Sequence, residues 1–425
     1  MLLRFSFSNH RCFWQQQEFS LVASSAIKGD DTQLMPGPSE SVRVLPGAAI
    51  YGANASGKST VLQALNYMQR VVIESQRSWA PGEGVEGRTP FRLVREAEAE
   101  PSEFHVDILV DGVRYEFGFS LNDNQILEEW LYAYPAGRRQ TWYTRSFGAK
   151  TEFSFGKNLR GENRTIERLT RPNSLFLSAA AQNHHEQLLP VYRWFSEFLD
   201  FAHAENKPHR VEVTAQLLDT PDGAEMVTSL LQSADLGIVG AIHDKMSDPD
   251  EDSIGPRLAA AFEDMPSVSF RRLPGAKVRL KHRTVEDTIP IEFIRESVGT
   301  QQLFGLIGPI VKALDRGGLL AIDELDASLH PLLAANLVRL FFRIAPNTGA
   351  QLVFNTHDSA LLKLAELRRD QVWFAEKELT GASHIYPLTD FRPRRAENLE
   401  RGYLQGRYGA IPMLDEEFKL VGSPE

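Results

Sequence analysis

Eight consecutive residues near the start of the chain have the types and spacing to bind phosphate. Residues 52–59 read Gly-Ala-Asn-Ala-Ser-Gly-Lys-Ser and fit the pattern G-x-x-x-x-G-K-[ST] at every fixed position. The glycines of such a loop let the backbone curl so that successive N–H groups point into one concavity. Lys58 would reach the β- and γ-phosphates of a nucleotide, and the Ser59 hydroxyl would bind Mg²⁺. The residues predicted to bind the nucleotide here are Gly52, Asn54, Ala55, Ser56, Gly57, Lys58, Ser59 and Thr60.

Such a loop must be positioned by a strand before it and a helix after it. Residues 48–51 form a short apolar run that is typical of a strand. After the loop, apolar residues recur at helical spacing, at Val61, Leu62, Leu65, Met68 and Val72. The start of that helix would add its partial positive charge for the phosphates. An ordinary glycine turn before a helix is the alternative, but the flanks favour a nucleotide site.

Two carboxylates follow another apolar run late in the chain. Residues 319–322 are Leu-Leu-Ala-Ile, a composition typical of a buried parallel strand, and Asp323 and Glu324 come directly after them. Catalytic groups collect at the carboxyl ends of such strands. We therefore predict that Asp323 holds Mg²⁺ and that Glu324 orients and polarises an attacking water molecule. Two acids that cap the next helix are the alternative.

A histidine and a serine turn complete the candidate chemistry. The apolar strand 352–354 runs into Asn-Thr-His-Asp, so His357 is placed to bond the γ-phosphate or the attacking water. Ser297, Gly299 and Thr300 open an amphipathic helix and offer hydroxyl and N–H groups to an anion. For each motif the alternative is structural: a strand-end histidine and a simple N-cap.

The amino-acid composition and net charge limit which classes of protein this chain can belong to. The chain has 425 residues, 42% of them hydrophobic and 24% charged, which is typical of a globular protein that forms two or three structural units. The net charge of −10 does not indicate nucleic-acid binding, and local basic runs are more often solvated faces. The single cysteine, Cys12, excludes an internal disulfide and a cysteine-cluster metal site. No apolar run reaches the length of a membrane span, so we expect a cytoplasmic protein without a membrane partner. The basic runs are Arg271-Arg272, residues 279–283 and residues 392–395.

The remaining segments predict an antiparallel arm and a helical insertion. Alternating apolar runs on either side of Asp111-Gly112 predict a β-hairpin. Asn9, His10 and Arg11 fall in a predicted turn, and exposure at the protein surface is one explanation for their polar side chains. Further strands are predicted at residues 2–7, 19–22, 126–134, 140–144, 174–177, 268–273, 278–282 and 288–293. Helical patterns are predicted at residues 188–199, 226–231, 258–262 and 303–314. The predicted domains are a first lobe with the phosphate loop (1–80), the β arm (81–175), the helical insertion with return strands (176–290) and a second lobe with the acidic strand end and His357 (291–425).

The order of these motifs resembles that of the ABC/SMC/RecF class of ATPases. Residues 324–331, Glu-Leu-Asp-Ala-Ser-Leu-His-Pro, resemble the Asp-Glu-x-x-x-x-Leu-His-Pro form of bacterial AAA-type ATPases of the RloA, AbiL and OLD kind. Residues 390–392 and 406–412 are similar to the C-terminal tail of the RloA/AbiL group. The resemblance covers residues 2–11, 48–72 and 291–414.

The resemblance implies an α/β fold, an ABC/SMC-like P-loop ATPase head with a mixed, largely parallel sheet, and a site shared between two chains. ATP and Mg²⁺ would be held between Lys58 of one chain and Ser297, Gly299 and Thr300 of the other. The family signature normally reads Leu-Ser-Gly-Gly-Gln, whereas residues 296–300 here are Glu-Ser-Val-Gly-Thr. Gln182 would be the glutamine that senses Mg²⁺ and the water.

Three functions remain as alternatives. Relatives of the RloA/AbiL kind are ATPases that act in anti-phage defence beside a separately encoded effector. The stretch after His357 is too short for a Toprim nuclease domain, so we expect the effector, RloB-like or a Toprim-type nuclease, to be another protein.

The alternatives are a RecF-like DNA-repair ATPase and an ABC-transporter nucleotide-binding subunit. The acidic balance disfavours DNA binding, and the large insertion disfavours the transporter. The neighbouring gene would distinguish the first two, and residues 79–290 are the hypothesised carrier of the signal to a partner.

Overall fold

The computed structural model describes residues 1–27, 33–234, 237–244, 277–394 and 397–412. The chain divides into two compact units. The first comprises Met1–Phe201, Ala313–Asp326 and Ala334–Glu425, and the second comprises Ala202–Lys312 and Ala327–Leu333. These units are groups of elements in contact, and the four-part division made from the sequence stays a prediction.

The strands and helices are numbered in chain order within the described residues. The strands are β1 (Leu2–Ser8), β2 (Gln17–Ser20), β3 (Met35–Pro36), β4 (Arg43–Val44), β5 (Gly47–Tyr51), β6 (Ser102–Val110), β7 (Val113–Leu121), β8 (Ile126–Tyr134), β9 (Gln140–Ser146), β10 (Phe153–Phe155), β11 (Leu199–Ala202), β12 (Ile238–Asp244), β13 (Lys277–Arg283), β14 (Thr288–Glu292), β15 (Leu319–Ile322), β16 (Gln351–Asn355), β17 (Val372–Lys377) and β18 (Ser383–Pro387). The helices are α1 (Lys58–Glu74), α2 (Arg95–Ala99), α3 (Asn163–Leu169), α4 (Phe176–Gln182), α5 (Leu189–Glu197), α6 (Lys207–Leu217), α7 (Pro221–Ser233), α8 (Val298–Arg316), α9 (Pro331–Thr348), α10 (Leu361–Leu364) and α11 (Leu399–Leu404).

A mixed sheet in the first unit positions the candidate site. Its strand order is β11-β15-β16-β5-β17-β18, and the pairs β15–β16, β16–β5 and β5–β17 are parallel. Every residue of β5, β15 and β16 is buried, because a parallel sheet is covered on both faces. Ile322 pairs with Phe354, and Asn355 pairs with Ile50. The predicted α/β class with a largely parallel sheet is confirmed.

A second, antiparallel sheet contains the predicted hairpin. Its order is β10-β9-β8-β7-β6-β1-β2, and all its neighbouring pairs are antiparallel. Asp111 and Gly112 join β6 to β7 with φ of +49° and +76°, the left-handed pair that a two-residue type I′ turn needs. The arm is therefore continuous with the N-terminal strands, since β6 pairs directly with β1.

The phosphate-loop helix α1 packs within one buried apolar cluster. Phe7 from the antiparallel sheet, Ile50 from the mixed sheet and Leu65 from α1 all belong to this cluster. Asn9 and His10 are also buried, so surface polarity does not explain them. Asn9 instead holds neighbouring loops, since its amide nitrogen lies 2.7 Å from the carbonyl oxygens of both Ala97 and Glu100.

The predicted strand at residues 174–177 is wrong, because these residues lead into helix α4. The N–H groups of Phe176 and Leu177 donate to the buried carboxylate of Glu129, at 2.6 and 3.0 Å. The Tyr143 hydroxyl donates to the same carboxylate at 2.8 Å. Burial raises the pKa of Glu129, and the Arg145 charge opposes that shift. A short apolar run does not distinguish a strand from a buried helix start, and here a partner remote in sequence caps the helix. The predicted helix at 188–199 likewise ends early, since Leu199 begins β11.

The second unit contains helices α6 and α7, most of α8 and a three-stranded antiparallel sheet of order β12-β13-β14. The strands predicted at 278–282 and 288–293 are confirmed, whereas β12 was not predicted. Helix α6 meets α8 closely, because the Thr214 hydroxyl donates to the Phe304 carbonyl at 2.7 Å and accepts from the Gly308 N–H at 2.9 Å. The predictions for residues 258–262, 268–273 and Arg271-Arg272 lie outside the described residues.

None of the helices in the described part of the chain has both the length and the apolar character needed to cross a bilayer.

Candidate nucleotide site

The phosphate loop curls between β5 and α1 through left-handed backbone conformations. Gly52 has φ of +154° and Gly57 has φ of +107°. A Cβ atom on Gly52 would lie 2.3 Å from the Ala375 carbonyl oxygen, and one on Gly57 would lie 2.9 Å from the ring of Phe13. Both positions therefore need glycine for conformation and for space.

Lys58 is the first residue of α1, and its side chain folds back over the loop. Its ammonium donates to the carbonyl oxygens of Gly52 and Ala53, at 2.8 and 2.9 Å. Burial lowers the pKa of Lys58 to about 8, while the charge of Asp326, followed by those of Glu324 and Asp323, acts in the opposite direction. A phosphate group would compete with the two carbonyl oxygens for this ammonium.

The side-chain oxygen atoms of Ser59 and Asp323 both lie beside the side-chain nitrogen of Asn355. Their chemistry and position show whether these residues fit a magnesium ion. The side-chain nitrogen of Asn355 donates to the carboxylate of Asp323 and lies 3.4 Å from the Ser59 hydroxyl oxygen. Two hard oxygen atoms, one from each residue, therefore face the partly positive NH₂ group of Asn355. Mg²⁺ prefers such oxygen ligands and keeps waters and substrate phosphates as the others. The residues present therefore fit Mg²⁺.

Glu324 stands beside this pair on an exposed turn. Its φ of +55° is uncommon for a residue with a side chain, and its N–H donates to the amide oxygen of Asn355 at 2.6 Å. The next N–H, of Leu325, donates to the Asn355 carbonyl at 3.1 Å. Asn355 therefore holds the turn that carries Asp323 and Glu324 at the edge of the sheet.

His357 follows β16 and lies next to the lysine. Its Nδ1 atom is 3.4 Å from the Lys58 Nζ atom. Its backbone N–H donates to Asp326, with both carboxylate oxygens at 3.3 to 3.4 Å. The charge of Asp326 also favours the protonated form of Lys58. Asp326 thus connects the β15 turn to the β16 turn.

An open cavity of about 760 Å³ collects most of the residues predicted from the first unit. Pockets of this size accommodate small-molecule cofactors. Asp323 is not among the lining residues and meets the site through Asn355. The lining residues are Cys12, Asn54, Ala55, Ser56, Gly57, Lys58, Ser59, Thr60, Glu324 and His357.

Sequence reasoning assigned no role to three residues found here, Asn355, Asp326 and Cys12. The signal for Asn355 was available, because it ends a strand that pairs in parallel with the strand before Asp323. Asp326 lies in the turn that follows Asp323 and Glu324, and no sequence pattern indicated a function for it. The Cys12 sulfur lies 3.5 Å from the Thr60 hydroxyl oxygen, and only the packing of the N-terminal turn reveals this contact.

Ser297, Gly299 and Thr300 lie in the second unit, at the start of helix α8. The Thr300 N–H donates to the Ser297 hydroxyl oxygen at 3.1 Å, which is an N-cap. A Cβ on Gly299 would lie 2.7 Å from the Ser328 carbonyl oxygen, so glycine permits a close backbone approach. All residues that line the cavity belong to the first unit, so these three do not line it.

Gln182 is not brought to the cavity either. It is the exposed last residue of α4, and its nearest described influence is on Tyr192, where burial raises the pKa of the hydroxyl and the Gln182 side chain opposes that shift. Its role as a sensor of Mg²⁺ and water stays a prediction.

Comparison with known proteins identifies the family. Residues 48–363 match the family described as "AAA domain, putative AbiEii toxin, Type IV TA system". This match spans the phosphate loop, the acidic strand end and His357. The chain belongs to this AAA family. A search of curated proteins found no match to this AAA chain. The RloA/AbiL subgroup is therefore a resemblance of motifs only.

Solved structures of SMC head domains are also similar to the AAA chain at low identity. The SMC head bound to the C-winged helix domain of ScpA is 10% identical, with 91% of this chain and 96% of that chain covered and a TM-score of 0.44. The SMC head domain from Thermotoga maritima is 11% identical over 91% and 98% of the two chains, with a TM-score of 0.40. The Pyrococcus furiosus SMC head bound to the C-terminal domain of ScpA is 11% identical over 96% and 98%, with a TM-score of 0.39.

Proposed function

We propose that the chain binds and hydrolyses ATP, and that ATP-dependent pairing of two copies gates a separately encoded effector in anti-phage defence. One observation carries the proposal: Lys58, Glu324 and His357 line a single cavity although they are remote in sequence. The parallel pairing of β5, β15 and β16 brings their carboxyl ends to one edge. This is the edge where open α/β sheets bind ligands.

Binding relies on the phosphate loop. The backbone N–H groups at the start of α1 and the Lys58 ammonium supply positive charge to the triphosphate. To reach a phosphate, Lys58 exchanges its bonds to the Gly52 and Ala53 carbonyls for bonds to phosphate oxygens. Ser59 and Asp323 would hold Mg²⁺, which would neutralise charge that develops on the phosphate oxygens.

Hydrolysis requires a group that orients water, and we assign that role to Glu324. Its carboxylate is exposed at the cavity, so a water molecule can reach it. The Asn355 side chain fixes the Glu324 backbone, which limits where the carboxylate can point. His357 lies beside Lys58 and is placed to bond the γ-phosphate or the water.

Pairing would supply the remaining groups from a second copy. We infer that Ser297, Gly299 and Thr300 serve the partner's phosphate rather than their own chain's, as the resemblance implies. The open cavity and the helix start at α8 support this inference, because each offers half of a phosphate-binding arrangement. ATP would then stabilise the closed pair, and hydrolysis would open it.

The effector part of the proposal has a separate basis. The family description names a toxin and a toxin–antitoxin system, which are two-component arrangements. Apart from Gln182, the segment 79–290 contains none of the residues assigned to the nucleotide site, which makes it our candidate for contact with a partner. We propose that this segment transmits the open or closed state to the effector.

The direct test is removal of the Lys58 ammonium. We expect Lys58→Ala to weaken Mg·ATP binding roughly 100-fold, because charge-assisted bonds to the triphosphate are worth about 3 kcal/mol. Isothermal titration calorimetry measures the affinity, and phosphate release measures turnover.

Lys150→Ala is the matched control. Lys150 is an exposed lysine in the loop between β9 and β10, and it does not line the cavity. The substitution therefore removes the same charge at a position remote from the nucleotide site. We expect it to bind and turn over ATP like the parent. Parent-like binding by Lys58→Ala would remove the phosphate loop from the proposal.

A further inference from the structure

A histidine–carboxylate pair joins the three-stranded sheet of the second unit to the turn before helix α8. His282 lies on β13, the central strand of that sheet, and its Nε2 atom is 2.7 Å from a carboxylate oxygen of Glu296. Only 7% of the Glu296 side chain is exposed, so the bond is shielded from water. An ionised carboxylate only accepts hydrogen bonds, so the imidazole Nε2 carries the hydrogen. We call the pair of His282 and Glu296 the sheet link.

The same turn is held from the helix side by Gln301, which lies in the first turn of α8. Its side-chain nitrogen donates to the carbonyl oxygen of Glu296 at 3.1 Å and to two further carbonyl oxygens of the turn at 3.3 Å. Its side-chain oxygen accepts from the Lys207 ammonium of α6 at 3.2 Å. The turn of residues 293–296 is therefore fixed by α8 and α6 through Gln301, and by the sheet through the sheet link.

Ser297 follows Glu296 directly, so the sheet link lies one residue from the hydroxyl that we assign to the partner's phosphate. The Ser297 hydroxyl oxygen accepts from the Thr300 N–H at 3.1 Å, which ties its side chain to α8. The sheet link adds a bond that comes from outside this helix. The family signature normally has leucine at the position of Glu296, and the buried bond to His282 explains how a carboxylate is accommodated here.

We propose that His282 and Glu296 are positioning residues that fix Ser297 for the nucleotide of a second copy, and that segment 79–290 acts on this contact through the sheet link. This inference rests on the proposed function. His282 belongs to the segment that we propose transmits the open or closed state, whereas Glu296 lies outside it. A displacement of the sheet would therefore reach the phosphate contact through one bond. Loss of His282 would leave a buried carboxylate without this partner, which is strongly unfavourable, so the turn would have to move.

The same sheet contains a matched control. His243 lies on β12, and its Nδ1 atom is 3.2 Å from a carboxylate oxygen of Asp219, in the connection between α6 and α7. His282→Leu and His243→Leu each remove an imidazole of this sheet from a carboxylate. They differ in whether that carboxylate precedes Ser297.

The experiment compares these variants and Glu296→Leu in the full chain by two measurements. Hydrogen exchange followed by mass spectrometry, without nucleotide, reports on the peptide that spans residues 294–302. We expect faster exchange in that peptide for His282→Leu and Glu296→Leu, and parent-like exchange for His243→Leu.

The second measurement separates pairing from nucleotide binding. Sedimentation velocity with Mg·ATP should show pairing that is at least about tenfold weaker in His282→Leu and Glu296→Leu, the equivalent of one charge-assisted hydrogen bond. Mg·ATP binding, titrated below the concentration at which chains pair, should match the parent, because the Lys58 site does not use the sheet link.

Equal exchange and equal pairing in His282→Leu and His243→Leu would overturn the inference. Loss of Mg·ATP binding by His282→Leu below the pairing concentration would also overturn it, because the defect would then extend beyond Ser297. Glu296→Gln keeps an oxygen that can accept from His282, so exchange as fast as in Glu296→Leu would exclude the bond as the cause. If ATP did not pair the parent chains, the proposed function would fail, and the exchange comparison would still decide whether the sheet link fixes the start of α8.

Discussion

Asn355 holds three groups of the candidate site with one side-chain amide. Its nitrogen donates to Asp323 and lies near the Ser59 hydroxyl, and its oxygen accepts from the Glu324 backbone. An aspartate there would place a second carboxylate against Asp323, and an alanine would hold the Glu324 turn only through its backbone carbonyl, which accepts from the Leu325 N–H. Single polar residues at strand ends can therefore set the geometry of a whole site.

At the residue scale, Glu324→Gln tests the assignment of the water-orienting group. The amide keeps the size of the side chain but loses the charge, so we expect kcat to fall at least about 100-fold while Mg·ATP affinity stays within a few-fold. We also expect ATP to trap the variant as a dimer, because the closed pair would no longer open by hydrolysis. Steady-state kinetics and size-exclusion chromatography with ATP measure these outcomes.

Glu366→Gln is the control for that variant. Glu366 is also exposed and also has φ of +55°, but it faces Arg339, at 3.7 Å, and does not line the cavity. The substitution removes the same charge from the same backbone conformation. Near-normal turnover by Glu324→Gln, or an equal loss in Glu366→Gln, would exclude Glu324 as the catalytic group.

At the scale of elements, the turn after β1 packs a histidine between a helix and a sheet. The His10 ring lies 5.6 Å from the rings of Tyr67 on α1 and Phe104 on β6. Within the described residues, neither ring nitrogen of His10 has a hydrogen-bond partner. Burial, and secondarily the charge of Arg11, lowers the pKa of His10 to about 3. The fold therefore requires the neutral ring.

This requirement predicts how stability depends on pH. The folded pKa lies below the ordinary value of 6.5, so the stability that neutral His10 provides is present above pH 6.5 and is lost as the pH falls towards 3. At pH 5 the loss should be about 2 kcal/mol relative to pH 7. We expect His10→Phe to remove this part of the pH dependence in urea unfolding at pH 7, 6 and 5.

His184→Asn controls for the loss of a histidine. His184 is exposed, and asparagine tolerates its φ of +56°. The control should keep the pH dependence of the parent. If His10→Phe kept it too, the buried ring would not be the group whose protonation destabilises the fold.

At the scale of the whole molecule, the motifs divide between two compact units. Lys58, Glu324 and His357 lie in the first unit, and Ser297 with Gly299 lies in the second. If Ser297 and Gly299 complete the site of a partner chain, each site uses Lys58 from one chain and Ser297 from the other. A mixed pair in which the two chains carry different defects then keeps one intact site. We expect Lys58→Ala and Ser297→Arg chains, each inactive alone, to regain ATPase activity when mixed. With random pairing the recovery should reach about a quarter of the parent activity.

Thr220→Arg controls for the helix cap that Ser297→Arg destroys. Thr220 caps α7 in the same unit, where its hydroxyl oxygen accepts from the Gly223 N–H at 3.2 Å. We expect this variant to stay active alone. If mixed pairs form, as shown by two affinity tags, and no activity returns, the shared site is wrong.

The sequence alone identified the parts of this protein that depend on local pattern. The phosphate loop, its strand and its helix were evident because fixed residues and helical spacing occur within 25 residues of each other along the chain. The Asp-Gly hairpin was evident because Asp-Gly between two alternating apolar runs is typical of a two-residue turn that joins neighbouring strands. The acidic strand end and His357 were predicted because buried parallel strands have a distinct composition.

Only the tertiary structure decided the features that depend on distant partners. Residues 174–177 lead into helix α4 because Glu129, remote in sequence, accepts from the first N–H groups of that helix. Asn355 and Asp326 gained their contacts from the order and register of strands, which no local pattern specifies. Gln182 matched a family role by type but ended on a helix facing Tyr192. Side-chain type and spacing therefore determined what chemistry is available, and the pairing of strands decided which groups perform it together.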